Sequence, residues 1–377
     1  MTQEAQTNLM YPREPSRFET TSLDDLLVYC QQIGASDITI QTGEPIIVEV
    51  YGRIHKITRR KLINTEVGDI LNAIYGPNGT TQIMRGTDLD THYEVRPSRH
   101  ERYRYRVNGV GCNVEGHEAI QITIRTIPGT PPDLADLNLP QAVIDAMAPQ
   151  EGIVYITGAT GSGKSTLLAS IIKSIAEDPN GNRKILTYES PIEFVYDSVV
   201  MPSSVIAQSE IPKHLPSFAA GVRNALRRKP HLILVGEARD PETISAALEA
   251  ALTGHPVYTT LHTNGVAETI RRLVGSFPQD ERSGRTIDIV ETLRLIVWQK
   301  LVPSVDGKRV ALREFLVFTE TLRDKLLACD PDNVTQVTRD LLYQYGQPMI
   351  HDVEAKFKEG LLSERWYQIL SARLKHE

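Results

Sequence analysis

The run Gly158-Ala159-Thr160-Gly161-Ser162-Gly163-Lys164-Ser165 has the spacing G-x-x-x-x-G-K-S/T, an arrangement suited to holding phosphate. Its glycines let the backbone curl until several amide N–H groups face phosphate oxygens. Lys164 supplies a point charge for the β and γ phosphates, and Ser165 offers a hydroxyl to Mg²⁺. The start of the following helix, with Thr166, adds partial positive charge. The context agrees, because the apolar run 153–157 precedes the motif and helical Thr166-Leu167-Leu168-Ala169-Ser170 follows it. A cradle alone does not hydrolyse; an acid must orient water or hold the metal shell. Glu237 follows the apolar run 232–235 and Gly236, so it emerges where a strand beside the phosphate loop ends. Glu189 and Glu193, in Tyr188-Glu189-Ser190-Pro191-Ile192-Glu193, follow another apolar run and form a second acidic candidate. Either Glu189 or Glu237 would reach Mg²⁺ through water, and sequence order does not decide which polarises the attacking one.

His255 and His262 bracket the short apolar run 256–261. They lack i, i+4 helical spacing and a companion cysteine set, which argues against zinc. Two readings stay open: histidines satisfied at strand ends, or neutral imidazoles that hydrogen-bond phosphate or a glutamate and report nucleotide state. In residues 102–107, Arg102, Arg104 and Arg106 alternate with Tyr103, Tyr105 and Val107, so a strand here has one cationic and one packing face. The cationic face is either a solvated strand edge or a set of arginine fingers for a neighbouring subunit's γ-phosphate, with Arg125 joining them. The cluster Arg227-Arg228-Lys229-Pro230 reads as a solvated helix end or as an intersubunit contact.

Positioning these groups requires more than one domain: 377 residues favour two at roughly 100–200 residues each. Ser22 before Leu23, Leu26, Leu27 and Cys30 predicts a helix with Ser22 as N-cap. Alternation in 37–41, the turn 42–45 and the run 46–57 predict a hairpin. The first part is therefore α+β. The proline-rich segment Pro128-Gly129-Thr130-Pro131-Pro132 reads as a semi-rigid linker. Beyond it, apolar runs at 153–157, 185–188, 232–235 and 257–261 alternate with helical patterns, which predicts a parallel sheet covered by helices. The expected division is a loose arm at 1–21, an α+β domain at 22–127, a linker at 128–138, an α/β domain at 139–320 and a helical appendage at 321–377. Lys and Arg total 41 against 47 Asp and Glu, for a net charge of −6, which provides no broad cationic field for nucleic acid. Three scattered cysteines suit a reducing compartment and read as buried, inert thiols. No apolar run approaches the ~18 residues of a membrane span, so a soluble chain is expected.

Taken in order, GATGSGKS, TYESPIEF, LILVGE and TGHPVYTTLHT resemble the secretion-ATPase family that includes pilus retraction motors. Within it, TGEPIIVEVYGRIH, RYRVNG and ALRRKP look like the DotB-type branch of type IVB secretion and its conjugative-plasmid relatives. The resemblance implies a PAS-like N-terminal domain and a RecA-like P-loop ATPase domain, working as a homo-hexamer that uses ATP and Mg²⁺. It gives Lys164, Ser165 and Thr166 the phosphates and Mg²⁺, Glu189 the acidic box, Glu237 the Walker B position, and His255 and His262 the histidine box. Arg104, Arg106 and Arg125 take the place of its phosphate-reaching arginines. It also implies a cytoplasmic protein that docks on inner-membrane secretion components to power secretion or conjugation, with no stable nucleic-acid binding. Three departures matter. The cysteines cannot build the four-cysteine zinc module usual in assembly motors. The retraction motors' AIRNLI-like signature is replaced by Thr321-Leu322-Arg323-Asp324-Lys325-Leu326. Ser190 stands where a second carboxylate usually follows Glu189. A retraction motor and, further off, a nucleic-acid translocase remain the alternatives.

Overall fold

The computed structural model describes residues 9–98, 101–127 and 129–374. Residues 1–8 of the expected arm, Pro128 of the expected linker and 375–377 of the tail lie outside the described residues. The chain is mixed α/β and divides into two compact units, Met1–Gly129 and Thr130–Glu377.

The first unit is built on a six-stranded antiparallel sheet in the order β3-β2-β1-β6-β5-β4. Its strands are β1 (Ala35–Gln41), β2 (Ile47–Val50), β3 (Arg53–Lys56), β4 (Leu89–Val95), β5 (Tyr103–Val114) and β6 (His117–Ile127). Ile38, Ile40, Ile122, Ile124, Tyr105 and Val107 alternate onto one buried face, which packs with Leu23, Leu27, Val67 and Leu71 of the helices Thr20–Gln32 and Asn64–Tyr75. Two expectations are corrected here. The first helix begins at Thr20 with Glu19 as its cap, and Ser22 closes the box from the third helical position by accepting the Glu19 amide at 2.8 Å. Residues 9–19 are also no loose arm, since Tyr11 and Phe18 are buried in the core and the Tyr11 amide donates to the Ile57 carbonyl at 2.8 Å. Isolated aromatics in a polar stretch have no period, so their burial leaves no pattern to read.

The second unit carries a seven-stranded sheet in the order β13-β12-β7-β11-β10-β8-β9. Its strands are β7 (Gly152–Thr157), β8 (Lys184–Glu189), β9 (Val205–Glu210), β10 (Leu232–Val235), β11 (Pro256–Leu261), β12 (Leu293–Pro303) and β13 (Arg309–Val317). All neighbours run parallel except the antiparallel edge pair β12 and β13. β7, β10 and β11 are buried along their whole length, as expected for strands covered on both faces. Leu168, Ile171 and Ile172 of the helix Lys164–Glu177 pack with Val154, Ile156 and Leu234. Ile244, Leu248, Ile270 and Ile289, from the helices Pro241–Leu252, Val266–Gly275 and Arg282–Thr292, pack with Tyr155, Ile233 and Val257.

The linker and tail expectations also need correction. Residues 130–138 dock on the second unit: Ser170 Oγ donates to the Pro132 carbonyl at 2.9 Å and Lys173 pairs with Asp133. The segment from Glu320 is not an appendage, because Leu322, Leu326, Leu341 and Leu342 sit in the same core as Val235 and Val257. Only the helices Met349–Lys358 and Glu364–Leu374 form a smaller cluster of their own, around Trp298, Val302 and Leu312. Cys30 is buried, and burial pushes its thiol up to about 12, whereas Cys112 and Cys329 are only half-buried. No helix among the described residues is long and apolar enough to cross a membrane.

Candidate functional site

Every loop expected to do chemistry in the second unit but one leaves the C-terminal edge of the parallel sheet, where ligands of open α/β sheets bind. The phosphate loop follows β7, with Gly158, Gly161 and Gly163 at positive φ (145°, 74° and 80°). A Cβ on Gly158 would lie 2.3 Å from the Gln299 carbonyl oxygen, so only glycine fits there. Gly163 caps the helix Lys164–Glu177, whose amide-bearing end opens on the loop. The buried Lys164 ammonium donates to the carbonyls of Gly158 (3.0 Å) and Ala159 (2.8 Å). Burial lowers its pKa, while the charges of Glu237 and Glu193 pull the other way.

The two principal glutamates come from neighbouring strands. Glu189 ends β8, where its Oε1 accepts from Thr187 Oγ1 at 2.6 Å and Gln208 Nε2 at 3.0 Å. Glu237 lies just beyond β10. Gly236 makes the approach possible: its amide donates to the Tyr188 carbonyl at 2.7 Å, and a Cβ there would sit 3.3 Å from Glu189 Cα. The Gly236 carbonyl accepts from Thr260 Oγ1 at 2.5 Å, which ties the loop to β11. Immediately afterwards, Asp240 caps the helix Pro241–Leu252 by accepting the Thr243 amide at 2.9 Å. Glu237 is thereby held in a short loop fixed at both ends. Its Oε1 lies 3.7 Å from His262 Nε2 and its Oε2 lies 3.9 Å from Arg239 Nη1.

His255 does not join this cluster. It precedes β11, beside Gly152 at the sheet's N-terminal edge, with its Nδ1 3.2 Å from the Ala250 carbonyl. The six residues of β11 lie between it and His262, and seven steps of about 3.3 Å put the two roughly 23 Å apart. This part of the expected site is corrected: a parallel strand delivers only the residue after its C-terminal end to the ligand edge.

The expected arginines belong to the first unit. Arg106 and Arg125 are directly opposed across β5 and β6, on the face away from that unit's core. Each holds a carboxylate: Arg106 contacts Asp90 at 2.6 and 3.2 Å, and Arg125 contacts Asp37 at 2.8 Å. The Arg106 hydrogen bond holds the Asp90 carboxyl below its usual range. Arg104 is half-buried two residues earlier on β5, and Arg102 lies just before the strand with Glu94 at 2.5 Å.

The residues at the sheet edge fit a nucleotide. Among the described residues the buried Ser162 Oγ has no hydrogen-bond partner, and Lys164 bonds only loop carbonyls, so both have donor capacity that phosphate oxygens would satisfy. The nearby hydroxyl of Ser165 and the carboxylates are hard oxygen ligands of the kind Mg²⁺ takes. Sequence reasoning missed Gln299, which donates from Nε2 to the Ser162 carbonyl at 2.7 Å. Its signal was weak, an uncharged polar residue directly after the apolar stretch 295–298 and next to the charged Lys300.

This fold and site define a P-loop nucleoside triphosphatase. Residues 89–355 match the family described as type II/IV secretion system protein, and the chain belongs to that family of ATP-hydrolysing enzymes. The solved structure of the Legionella pneumophila ATPase DotB is 65% identical, with a TM-score of 0.92 over 97% of this chain and 99% of that one. The structure of the pilus retraction motor PilT with bound ADP is 30% identical, with a TM-score of 0.76 over 92% and 95%. The twitching motility protein of Neisseria gonorrhoeae is 33% identical over 349 residues, 92% of this chain and 86% of that protein.

Proposed function

We propose that this chain is a Mg²⁺-dependent ATPase that works as a homo-hexamer and converts hydrolysis into interdomain motion to power a type IVB-like secretion or conjugation apparatus. The observation that carries this reading is the 65% identity to DotB over nearly the whole of both chains. In this reading the first unit is the family's PAS-like domain and the second its RecA-like domain. The protein works in the cytoplasm, docked on inner-membrane components of the apparatus. Gly158, Ala159, Thr160, Gly161, Ser162 and Gly163 cradle the phosphates with backbone amides. Lys164 turns from the loop carbonyls to the β and γ oxygens, and Thr166 supports the α and β side. Ser165 is the direct Mg²⁺ ligand, with Glu189 and Glu237 acting through water; the bound ion neutralises phosphate charge.

Glu237 orients the attacking water and accepts its proton. His262, 3.7 Å away, senses whether that carboxylate faces a γ-phosphate. Arg106 and Arg125 exchange their carboxylate partners, Asp90 and Asp37, for a neighbouring subunit's nucleotide, with Arg104 beside them, which makes hydrolysis depend on assembly. The test is ATP turnover by Lys164→Ala and Glu237→Gln, together with rescue of a secretion-defective host: Lys164→Ala should lose nucleotide binding and Glu237→Gln should bind without turning over. Normal turnover in Glu237→Gln would remove it from this role. The likeness to retraction motors favours pilus retraction as the second reading, and restored twitching instead of restored secretion would select it. ATPase activity stimulated by DNA, with steep salt dependence, would instead select a nucleic-acid translocase.

A further inference from the structure

The phosphate loop rests on a side chain outside every motif described above. Gln299 of β12 is 3% exposed and lies against the loop with both its side chain and its backbone carbonyl. Its Nε2 donates to the Ser162 carbonyl at 2.7 Å. Its backbone carbonyl oxygen lies 2.3 Å from where a Cβ on Gly158 would be, and its Nε2 lies 2.9 Å from where a Cβ on Gly163 would be, so neither glycine could be replaced without a clash. Both ends of the loop are thus seated on one residue. An amide has two faces of opposite polarity, and a second residue fixes which one the loop meets. Arg313, 4% exposed and directly opposite on β13, donates from Nε to Gln299 Oε1 at 2.8 Å. Guanidinium only donates, so it holds the amide with its N–H₂ turned toward Ser162. Arg313 is itself anchored. Its Nη1 reaches the Asn138 carbonyl at 3.3 Å, and its backbone amide donates to the buried carboxylate of Asp352 at 2.7 Å.

We propose that Gln299 and Arg313 are positioning residues for the nucleotide site: they hold the phosphate loop in its binding shape from behind and tie it to Asn138 and to the helix Met349–Lys358. The proposal rests on the loop being the nucleotide site. Gln299→Leu keeps the volume but leaves the Ser162 carbonyl without its donor. Arg313→Met frees the amide to turn, and Arg313→Lys retains a donor.

The experiment is titration of each variant with a fluorescent ADP analogue and Mg²⁺, the rise in Tm produced by saturating Mg-ADP, and KM and kcat for ATP. Gln299→Leu should bind ADP about tenfold more weakly, show a smaller ADP-induced rise in Tm, and raise KM by more than it lowers kcat. Arg313→Met should weaken ADP several-fold, with part of that loss recovered in Arg313→Lys. A folded Gln299→Leu that binds ADP within twofold of the unaltered chain overturns the proposal. If Gln299→Leu does not fold, Arg313→Met decides, and unaltered ADP affinity in it overturns the proposal equally. Lys164→Ala separates the two levels. Undiminished ADP binding in Lys164→Ala sinks the loop itself as the site. Loss of binding there with Gln299→Leu unaffected sinks the relay alone.

Discussion

Glu237, 3.7 Å from an imidazole and 3.9 Å from a guanidinium in a short fixed loop, steers a water in the proposed mechanism and does not grip the nucleotide. Glu237→Gln should therefore slow hydrolysis at least ~100-fold while leaving ATP bound, which single-turnover hydrolysis beside nucleotide titration will check. The two histidines give a sharper contrast. His262→Ala should lower turnover about tenfold or more, and His255→Ala should stay within about twofold, because His255 lies at the other end of β11; parallel steady-state assays measure both. At this scale Glu237 was readable from Leu232 to Glu237, since a buried run followed by glycine and an acid has few other uses. The histidines were not separable by residue type. Direction along the strand separates them, and that follows only once β11 is paired parallel to β7. Gln299 carried a weak signal, because its value lies in a contact with Ser162 across 137 positions.

Elements succeed or fail on close approaches and on buried charge. Gly158→Ala would drive a Cβ into the Gln299 carbonyl of β12, backbone against backbone; the expected result is loss of nucleotide binding and about 1–3 kcal/mol of stability, read by titration and chemical denaturation. In the first unit Glu66 has only 2% side-chain exposure and takes Arg60 at 2.6 and 2.8 Å and the Phe18 amide at 2.6 Å. Burial pushes its carboxyl up, but the Arg60 and Phe18 bonds prevail and hold it below the usual carboxylate range. A folded pKa below the unfolded one contributes stability above the unfolded value, lost as pH drops through the folded value. Glu66→Gln should therefore cost about 3 kcal/mol near neutrality, and the difference should narrow as pH falls through and below the usual carboxylate range; denaturation at several pH values tests this. The buried strands β7, β10 and β11 were legible as short apolar runs bounded by glycine, proline or acid. β12 was not, because Arg294, Gln299 and Lys300 break its apolar residues into short pieces that show neither the strand nor the helix period clearly. The packing of Leu322 and Leu326 beneath the sheet was hidden for a similar reason, since an amphipathic helix shows that it has a partner but not which one.

For the molecule as a whole, the hexamer proposal makes a mass prediction. With a chain of 42.1 kDa, light scattering of Glu237→Gln in Mg-ATP should give a species near 253 kDa, six chains, that weakens when nucleotide is removed. A monomer under all conditions would leave ring assembly to a docking platform and return Arg106 and Arg125 to the ion pairs they make within one chain, with Arg104 on the same solvated strand face. The two-unit division was visible in the segment 128–132, within which the boundary after Gly129 falls, although docking of Asp133 on Lys173 removes the rest of the expected linker. The strand order also bears on how the protein is made. β7, which carries the phosphate loop, lies between β11 and β12, both far downstream in the chain. On a ribosome the loop thus emerges long before either neighbour strand, and before Gln299 and Arg313 exist to seat it. Nucleotide binding is therefore a late event in synthesis, and a chain stopped before Leu293 carries the complete Gly158–Ser165 signature yet has no floor on which to form the site.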